Sequence, residues 1–174
     1  MVFLFIAQSL DGYIAAPDGD IAFLSQVEAA GEDYGYTDFF RAVGTVIIGR
    51  KTYEKVLGFG EPFPYRGKTC YVLTRTPREN TADVTFYTGD VPTLIRRLKN
   101  ESTEHIFVDG GGEAIFAMMA HGLVDRYIVS VVPTLLGDGI PLFRPGFSAQ
   151  KLRLLRATTF PSGLVQLWYA NDNR

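Results

Sequence analysis

Apolar runs in this chain repeatedly end on glycine, most clearly in Ile106-Phe107-Val108-Asp109-Gly110-Gly111-Gly112-Glu113. Such a segment reads as a buried strand, a glycine turn and the start of a helix. Glycine adopts torsions that other residues resist and lets the backbone approach a ligand closely. The helix behind it offers unpaired N–H groups and the positive end of a dipole, a setting that suits phosphate. Two readings fit: an anion site, or a tight turn that packs helix against sheet. The segment matches neither G-x-G-x-x-G nor G-x-x-x-x-G-K-[ST].

Other runs frame it. Residues 2–8 read as a buried strand, followed by a long loop with Asp11-Gly12 and Pro17-Asp18-Gly19. The pattern predicts a helix over 33–42, with Phe39, Phe40 and Val43 turned inward, then a strand over 45–48 that Gly49 ends. A short helix over 51–56 precedes a 58–67 loop, and strands follow at 69–74 and 84–87. Apolar residues at 91, 94, 95 and 98 keep helical spacing, with Asp90 as N-cap and Pro92 in the first turn. A strand over 105–109 enters the glycines, a helix over 113–121 stops at Gly122, and another strand covers 126–132. Runs at 152–160 and 164–169, joined by Pro161-Ser162-Gly163, read as a terminal hairpin. Alternation closed by a hairpin predicts one α/β domain with a mostly parallel sheet and antiparallel strands at one edge.

A chain of 174 residues, 47% hydrophobic and 21% charged, can bury such a core. Its 17 basic and 19 acidic residues give a net charge of −2, so it has no general pull toward nucleic acid or anionic membrane. Any anion site must be local. Residues 1–7 are apolar but lack a basic lead-in and are too short for a signal peptide or a membrane span, so a cytoplasmic protein is expected. Cys70 reads as a core residue. His105 and His121 have no partner at metal-ligand spacing, and no metal site is expected.

Two further strand ends carry polar groups. In Val46-Ile47-Ile48-Gly49-Arg50-Lys51-Thr52-Tyr53-Glu54 a strand passes through glycine into a helix start bearing two cations. Cations oppose the dipole there, and an anion held between them would remove the conflict; solvated surface charges are the other reading. Tyr71-Val72-Leu73-Thr74-Arg75-Thr76-Pro77 ends in hydroxyl and guanidinium groups suited to phosphate or ribose, or to a surface loop. In open α/β sheets ligands bind at the edge where such strand ends gather.

Ser9-Leu10-Asp11-Gly12-Tyr13-Ile14-Ala15, Ile48-Gly49-Arg50-Lys51-Thr52-Tyr53-Glu54, Thr74-Arg75 and Gly110-Gly111-Gly112-Glu113, in this order, resemble the dihydrofolate reductase superfamily. The branch they resemble most is the C-terminal reductase domain of the bifunctional riboflavin-biosynthesis protein RibD, over nearly the whole chain. The resemblance implies a dihydrofolate-reductase-like fold, a mixed sheet of about eight strands flanked by helices. It implies NADPH as cofactor, with Arg50, Lys51, Thr52, Thr74 and Arg75 at the 2′-phosphate and ribose, following Gly49. Gly110, Gly111, Gly112, Glu113, Ala114 and Ile115 would hold the pyrophosphate. Ala7 and Ile14 would lie near the nicotinamide under the 11–23 loop, and a cis peptide is expected at Gly110-Gly111.

True dihydrofolate reductases place a carboxylate on the helix before the Ile-Gly-Arg strand. Here Asp33 and Asp38 are the candidates, with an N-cap and a surface carboxylate as the alternative. Tyr34 and Tyr36 are candidates to stack on a flat heterocycle or offer it a hydroxyl. Asp11 is a candidate for catalysis or substrate contact and equally a turn former. Phe23 falls where the family often packs an aromatic residue beneath the substrate, and a core role fits it as well. The 133–143 segment, with little charge, would leave an apolar patch if exposed, from which a homodimer is expected.

The activity these features imply is NADPH-dependent hydride transfer to a C=N or C=O carbon of a small pyrimidine- or pterin-like heterocycle. Three alternatives stand beside it: reduction of 5-amino-6-(5-phosphoribosylamino)uracil, a non-catalytic nucleotide sensor, and dihydrofolate or pterin reduction. Against the first, the Pro17-Asp18-Gly19 loop does not look like the phosphosugar-binding loop of true RibD domains.

Overall fold

In the computed structural model, which describes residues 1–59 and 62–172, each apolar run read above as a strand forms one. The first half of the chain runs β1 (Val2–Ser9), β2 (Tyr13–Ala15), α1 (Tyr36–Arg41), β3 (Val43–Gly49), α2 (Arg50–Gly58), β4 (Thr69–Leu73) and β5 (Thr85–Tyr87). The second half runs α3 (Val91–Glu101), β6 (His105–Gly110), α4 (Gly112–Ala120), β7 (Arg126–Val132), β8 (Ile140–Pro141), β9 (Leu152–Thr159) and β10 (Val165–Asn171). The loop expected over 58–67 includes residues 60 and 61, which lie outside the described residues.

Eight strands form one sheet in the order β5-β4-β3-β6-β1-β7-β10-β9. β1 lies between β6 and β7 and is parallel to both, with Leu4 opposite Val108 and Ala7 opposite Ser130. β3 is parallel to β6 and β4, and β10 pairs antiparallel with β7 and β9. The parallel strands therefore end together, at Ser9, Gly49, Leu73, Gly110 and Val132.

Strand parity divides the core. Val2, Leu4, Ile47, Ile106, Val108 and Val129 face α3 and α4, which bury Leu94, Ile95, Leu98, Ile115 and Met118 against them. Phe3, Val46, Ile48, Val72, Phe107 and Ile128 face the other way, toward Phe39 of α1 and Tyr53 of α2. Each such side chain contributes about 1.5–3 kcal/mol on burial, enough to fix which face every strand presents. Asp90 caps α3 as expected, accepting from the Thr93 N–H at 2.9 Å. Gly122 follows α4 with φ +60. No helix among the described residues is long and apolar enough to cross a membrane.

Local polar groups account for the differences from expectation. The helix expected over 33–42 shortens to Tyr36–Arg41 because the Asp33 carboxylate accepts from the N–H groups of Gly35 and Thr37, and Gly35 takes φ +80. The 11–23 and 133–143 segments, read as loops, contain β2 and β8, which pair antiparallel, and a 3-10 turn follows at Ala22–Val27. Asp11 ties the two segments together. Its carboxylate accepts from the Ser9 hydroxyl at 2.5 Å and from the backbone of Leu136 at 3.1 Å and Gly137 at 2.7 Å.

At Gly139 an added Cβ would overlap the Ala15 carbonyl oxygen and stand 3.2 Å from the Tyr13 side chain. Gly139→Ala therefore destabilises the β2–β8 pairing by about 1–3 kcal/mol, as overpacking does. Denaturant unfolding measures the loss, and an unshifted midpoint contradicts it.

Candidate active site

Gly49 and Gly110 end neighbouring strands, and their turns interlock. A Cβ on Gly49 would stand 3.4 Å from the Gly110 carbonyl oxygen and 3.5 Å from the Ala114 methyl. A Cβ on Gly111, where φ is +81, would stand 2.9 Å from Thr52 Oγ1 and 3.3 Å from Gly49 Cα. A side chain is excluded at Gly111, whereas one at Gly49 would come into ordinary contact with the opposite turn. The N-termini of α2 and α4 open beside this contact, so their unpaired N–H groups and positive dipole ends share one small surface. The peptide expected cis at Gly110-Gly111 is not: no cis bond occurs among the described residues.

Cations surround the cradle. Glu54 pairs with Arg50 at 2.7 Å and with Arg78 at 3.0 Å; Glu113 pairs with Arg144 at 2.6 Å and with Arg75 at 3.9 Å. Lys51 adds its charge close to Glu113. The Arg50 hydrogen bond holds the Glu54 carboxyl below its usual range, and the Arg144 hydrogen bond does the same to Glu113. Five cations thus share two carboxylates, leaving a local surplus of positive charge in a chain whose net charge is −2.

Of the other residues expected at a cofactor, Thr74 follows β4 but turns its hydroxyl to Thr76. Ile115 is buried under α4, and Ile14 packs on that same core. Ala7 faces the opposite side. Gln8, beside it, carries a buried amide oxygen, Oε1, with no hydrogen-bond partner among the described residues. Arg78 and Arg144 were not read as site residues: Arg78 stands just past Thr74-Arg75 in the same loop, and Arg144 reaches the cradle from a loop far from it in sequence.

Across the sheet, a cavity of about 310 Å³ opens between β1, β7 and the segment that follows the 3-10 turn. Phe5, Ala7, Ser130 and Leu164 contribute from the sheet side, Leu24, Val27 and Tyr34 from the covering segment. Glu28, Glu32 and Asp33 supply carboxylates, and no cation lines it. Tyr34 is held at φ +56, an uncommon conformation for a residue with a side chain. Its hydroxyl bonds the Val27 carbonyl and Ser162. Phe23 packs beneath this segment, and Tyr36 stacks on Phe40 with its ring edge toward Phe5. Asp33 thus lies at the cavity while capping α1, and hydrogen bonding to Thr37 lowers its carboxyl. Asp38 pairs with Arg41 at the surface, 84% exposed.

One acid was missed. Asp109 is the last residue but one of β6, on the same strand face as Phe107 and one residue past the pairing of Leu4 with Val108; it is not among the residues that line the cavity. Burial pushes its carboxyl up to about 6, partly countered by a Tyr65 hydrogen bond. Tyr36, Tyr65 and Cys70 lie around it, and burial pushes the pKa of each up, that of the Cys70 thiol to about 12. The group is a neutral or singly charged island at a parallel strand end. Sequence parity carried the signal: a carboxylate two residues after a core phenylalanine has to be accommodated on the buried face. Among the described residues no group of three or more His, Cys, Asp or Glu is placed to hold a metal ion.

A dihydrofolate-reductase-like α/β domain with an anion cradle at its strand ends and a cavity beside it is the class these features define. The chain belongs to the RibD C-terminal domain family, whose model matches residues 1–166, and at the family level it is a reductase-like domain. The uncharacterized protein YwjB of Bacillus subtilis (strain 168) is 43% identical over 167 residues, 95% of each chain. A solved structure from Shewanella sp. PV-4, named for riboflavin biosynthesis, is 29% identical with a TM-score of 0.90, covering 99% of both chains. The diaminohydroxyphosphoribosylaminopyrimidine deaminase/5-amino-6-(5-phosphoribosylamino)uracil reductase of Thermotoga maritima shares the fold, with a TM-score of 0.70 at 16% identity. That match spans 98% of this chain and 56% of the Thermotoga one.

Proposed function

We propose that this domain is an NADPH-dependent reductase acting on a C=N or C=O carbon of a small pyrimidine- or pterin-like heterocycle. The interlocked Gly49 and Gly111 turns carry the reading, because they leave bare backbone, two helix N-termini and a ring of cations at one strand edge. A pyrophosphate fits the N–H groups of Gly110 to Glu113. Arg50, Lys51 and Arg75 fit a 2′-phosphate. The unpartnered Gln8 oxygen adds an acceptor for an amide N–H such as that of nicotinamide. Bound NADPH supplies the hydride. The chain's own part is to hold the reactants, exclude water, and supply a proton from Asp109, the buried acid next to the glycine turn.

Family membership also supports a second reading, the uracil reductase reaction for which the Thermotoga protein is named, but that substrate carries a phosphate. A homodimer belongs to the same proposal, with exposed Leu135 and Phe143 as its support.

Fluorescence titration tests the cofactor. NADPH binds more tightly than NADH, and Arg50→Ala weakens NADPH by about ten-fold or more, as expected for a lost charge-assisted contact, while changing NADH little. Equal losses for both overturn the 2′-phosphate role. Absence of NADPH binding at millimolar concentration overturns the reductase. Steady NADPH oxidation with a heterocyclic acceptor excludes the sensor.

A further inference from the structure

Ser130 is 4% exposed and lines the cavity, one strand from Ala7. Its hydroxyl belongs to a buried chain of hydrogen bonds whose direction is determined. The Trp168 indole N–H donates to Gln166 Oε1 at 2.8 Å, so that end of the Gln166 amide must be the oxygen. The other end donates through Nε2 to the Tyr34 carbonyl at 2.9 Å and to Ser130 Oγ at 3.2 Å. A reversed amide would set an N–H against the indole N–H and oxygen against the Tyr34 carbonyl. Both ends therefore exclude it.

Ser130 must accept from Gln166, which leaves its own proton to donate. No acceptor for that proton is found among the described residues. A donor of fixed sense, left over in a wall of Phe5, Ala7 and Leu164, suits an acceptor brought by a ligand. The opposite side differs. Glu28, Glu32 and Asp33 stand exposed at the rim, Asp33 already accepting from Gly35 and Thr37 and Glu32 from Tyr34, and the lining has no cation to balance an added anion.

We propose that the cavity selects an unphosphorylated, amino-bearing heterocycle whose carbonyl accepts from Ser130 and whose N–H groups face the Glu28, Glu32 and Asp33 side. This rests on the reductase reading for the identity of the pocket, and it separates the chain from reductases of phosphoribosyl substrates. Trp168 and Gln166 are positioning residues, since they act only through the Ser130 hydroxyl.

Calorimetric titration of the full chain without any nicotinamide cofactor tests it with three probes: cytidine, cytidine 5′-monophosphate and aniline. At low ionic strength cytidine binds about ten-fold more tightly than its monophosphate, because the phosphate meets the rim carboxylates with no cation among the lining residues. Ser130→Ala weakens cytidine about ten-fold, the usual scale of one neutral hydrogen bond, and leaves aniline, which has no carbonyl, unchanged. Equal binding of the nucleoside and its monophosphate overturns the proposal, as does failure of cytidine to bind, or a Ser130→Ala loss shared by aniline. Because cofactor is absent, a protein that meets these expectations yet oxidises no NADPH refutes the reductase reading alone. One that oxidises NADPH but fails them refutes this proposal alone.

Discussion

Asp109→Asn lowers the rate of NADPH oxidation by a factor on the order of 10²–10⁴, the range lost when a positioned proton donor is removed. The substitution keeps the shape of the carboxyl and its contact with Tyr65 while removing the transferable proton. NADPH affinity, read by fluorescence, stays near the wild-type value, since the Asp109 carboxyl interacts with Tyr36, Tyr65 and Cys70 and not with the cations of the ring. The pH profile supplies the second reading. Burial raises the carboxyl to about 6, so the wild-type kcat/KM is level below that pH and falls about ten-fold per unit above it as the donor ionises. The variant has no such limb. A variant within about three-fold of wild type, too small a loss for general acid catalysis, would falsify the assignment.

The same group sets a pH dependence of stability with a definite sign. The folded state holds the Asp109 proton more tightly than the unfolded chain does. Stability is therefore fully present below the unfolded value, about pH 4, and declines as pH rises through about 6, where the folded group ionises. Asp109→Asn removes that decline.

The fold was legible where local chemistry and burial agree. Alternating apolar runs and helical spacing located all the strands of the main sheet, and Asp90 and Gly122 bounded their helices for reasons visible in the sequence. Strand order was not legible, because it depends on how β6 returns between β3 and β1, a choice made by the packing of α3 and α4. β2 and β8 are too short to show a period, and only the Asp11 clamp and the bare backbone at Gly139 bring them together. The site divides along the same line. Arg50 and the glycines announced themselves through their place at strand ends, whereas Arg144 arrives on a loop whose position depends on the finished core. Asp33 shows the reverse: its place before a helix was readable, and its nearness to the cavity follows from where that helix docks.

Gly111→Ala abolishes measurable cofactor binding, whereas Gly110→Ala leaves most of it intact. The three glycines look equivalent in sequence but are not so in space. At Gly111 φ is +81 and ψ is 114, outside the regions open to a residue with a Cβ, and holding such a conformation costs about 1–3 kcal/mol. The new methyl would also press on Thr52 Oγ1 at 2.9 Å and on Gly49 Cα at 3.3 Å, forcing apart the backbones that form the cradle. Gly110 has no positive φ, and its added Cβ would meet only the Thr52 methyl at 3.8 Å, an ordinary contact. Gly112 is intermediate, with Ile140 Cγ2 at 3.2 Å, a side chain that can yield. NADPH titration of the three alanine variants, each checked for folding by circular dichroism, should order them Gly110, Gly112, Gly111 by increasing loss. An equal loss at all three would mean that the glycines serve only to pack helix against sheet, and the cradle would then hold no phosphate.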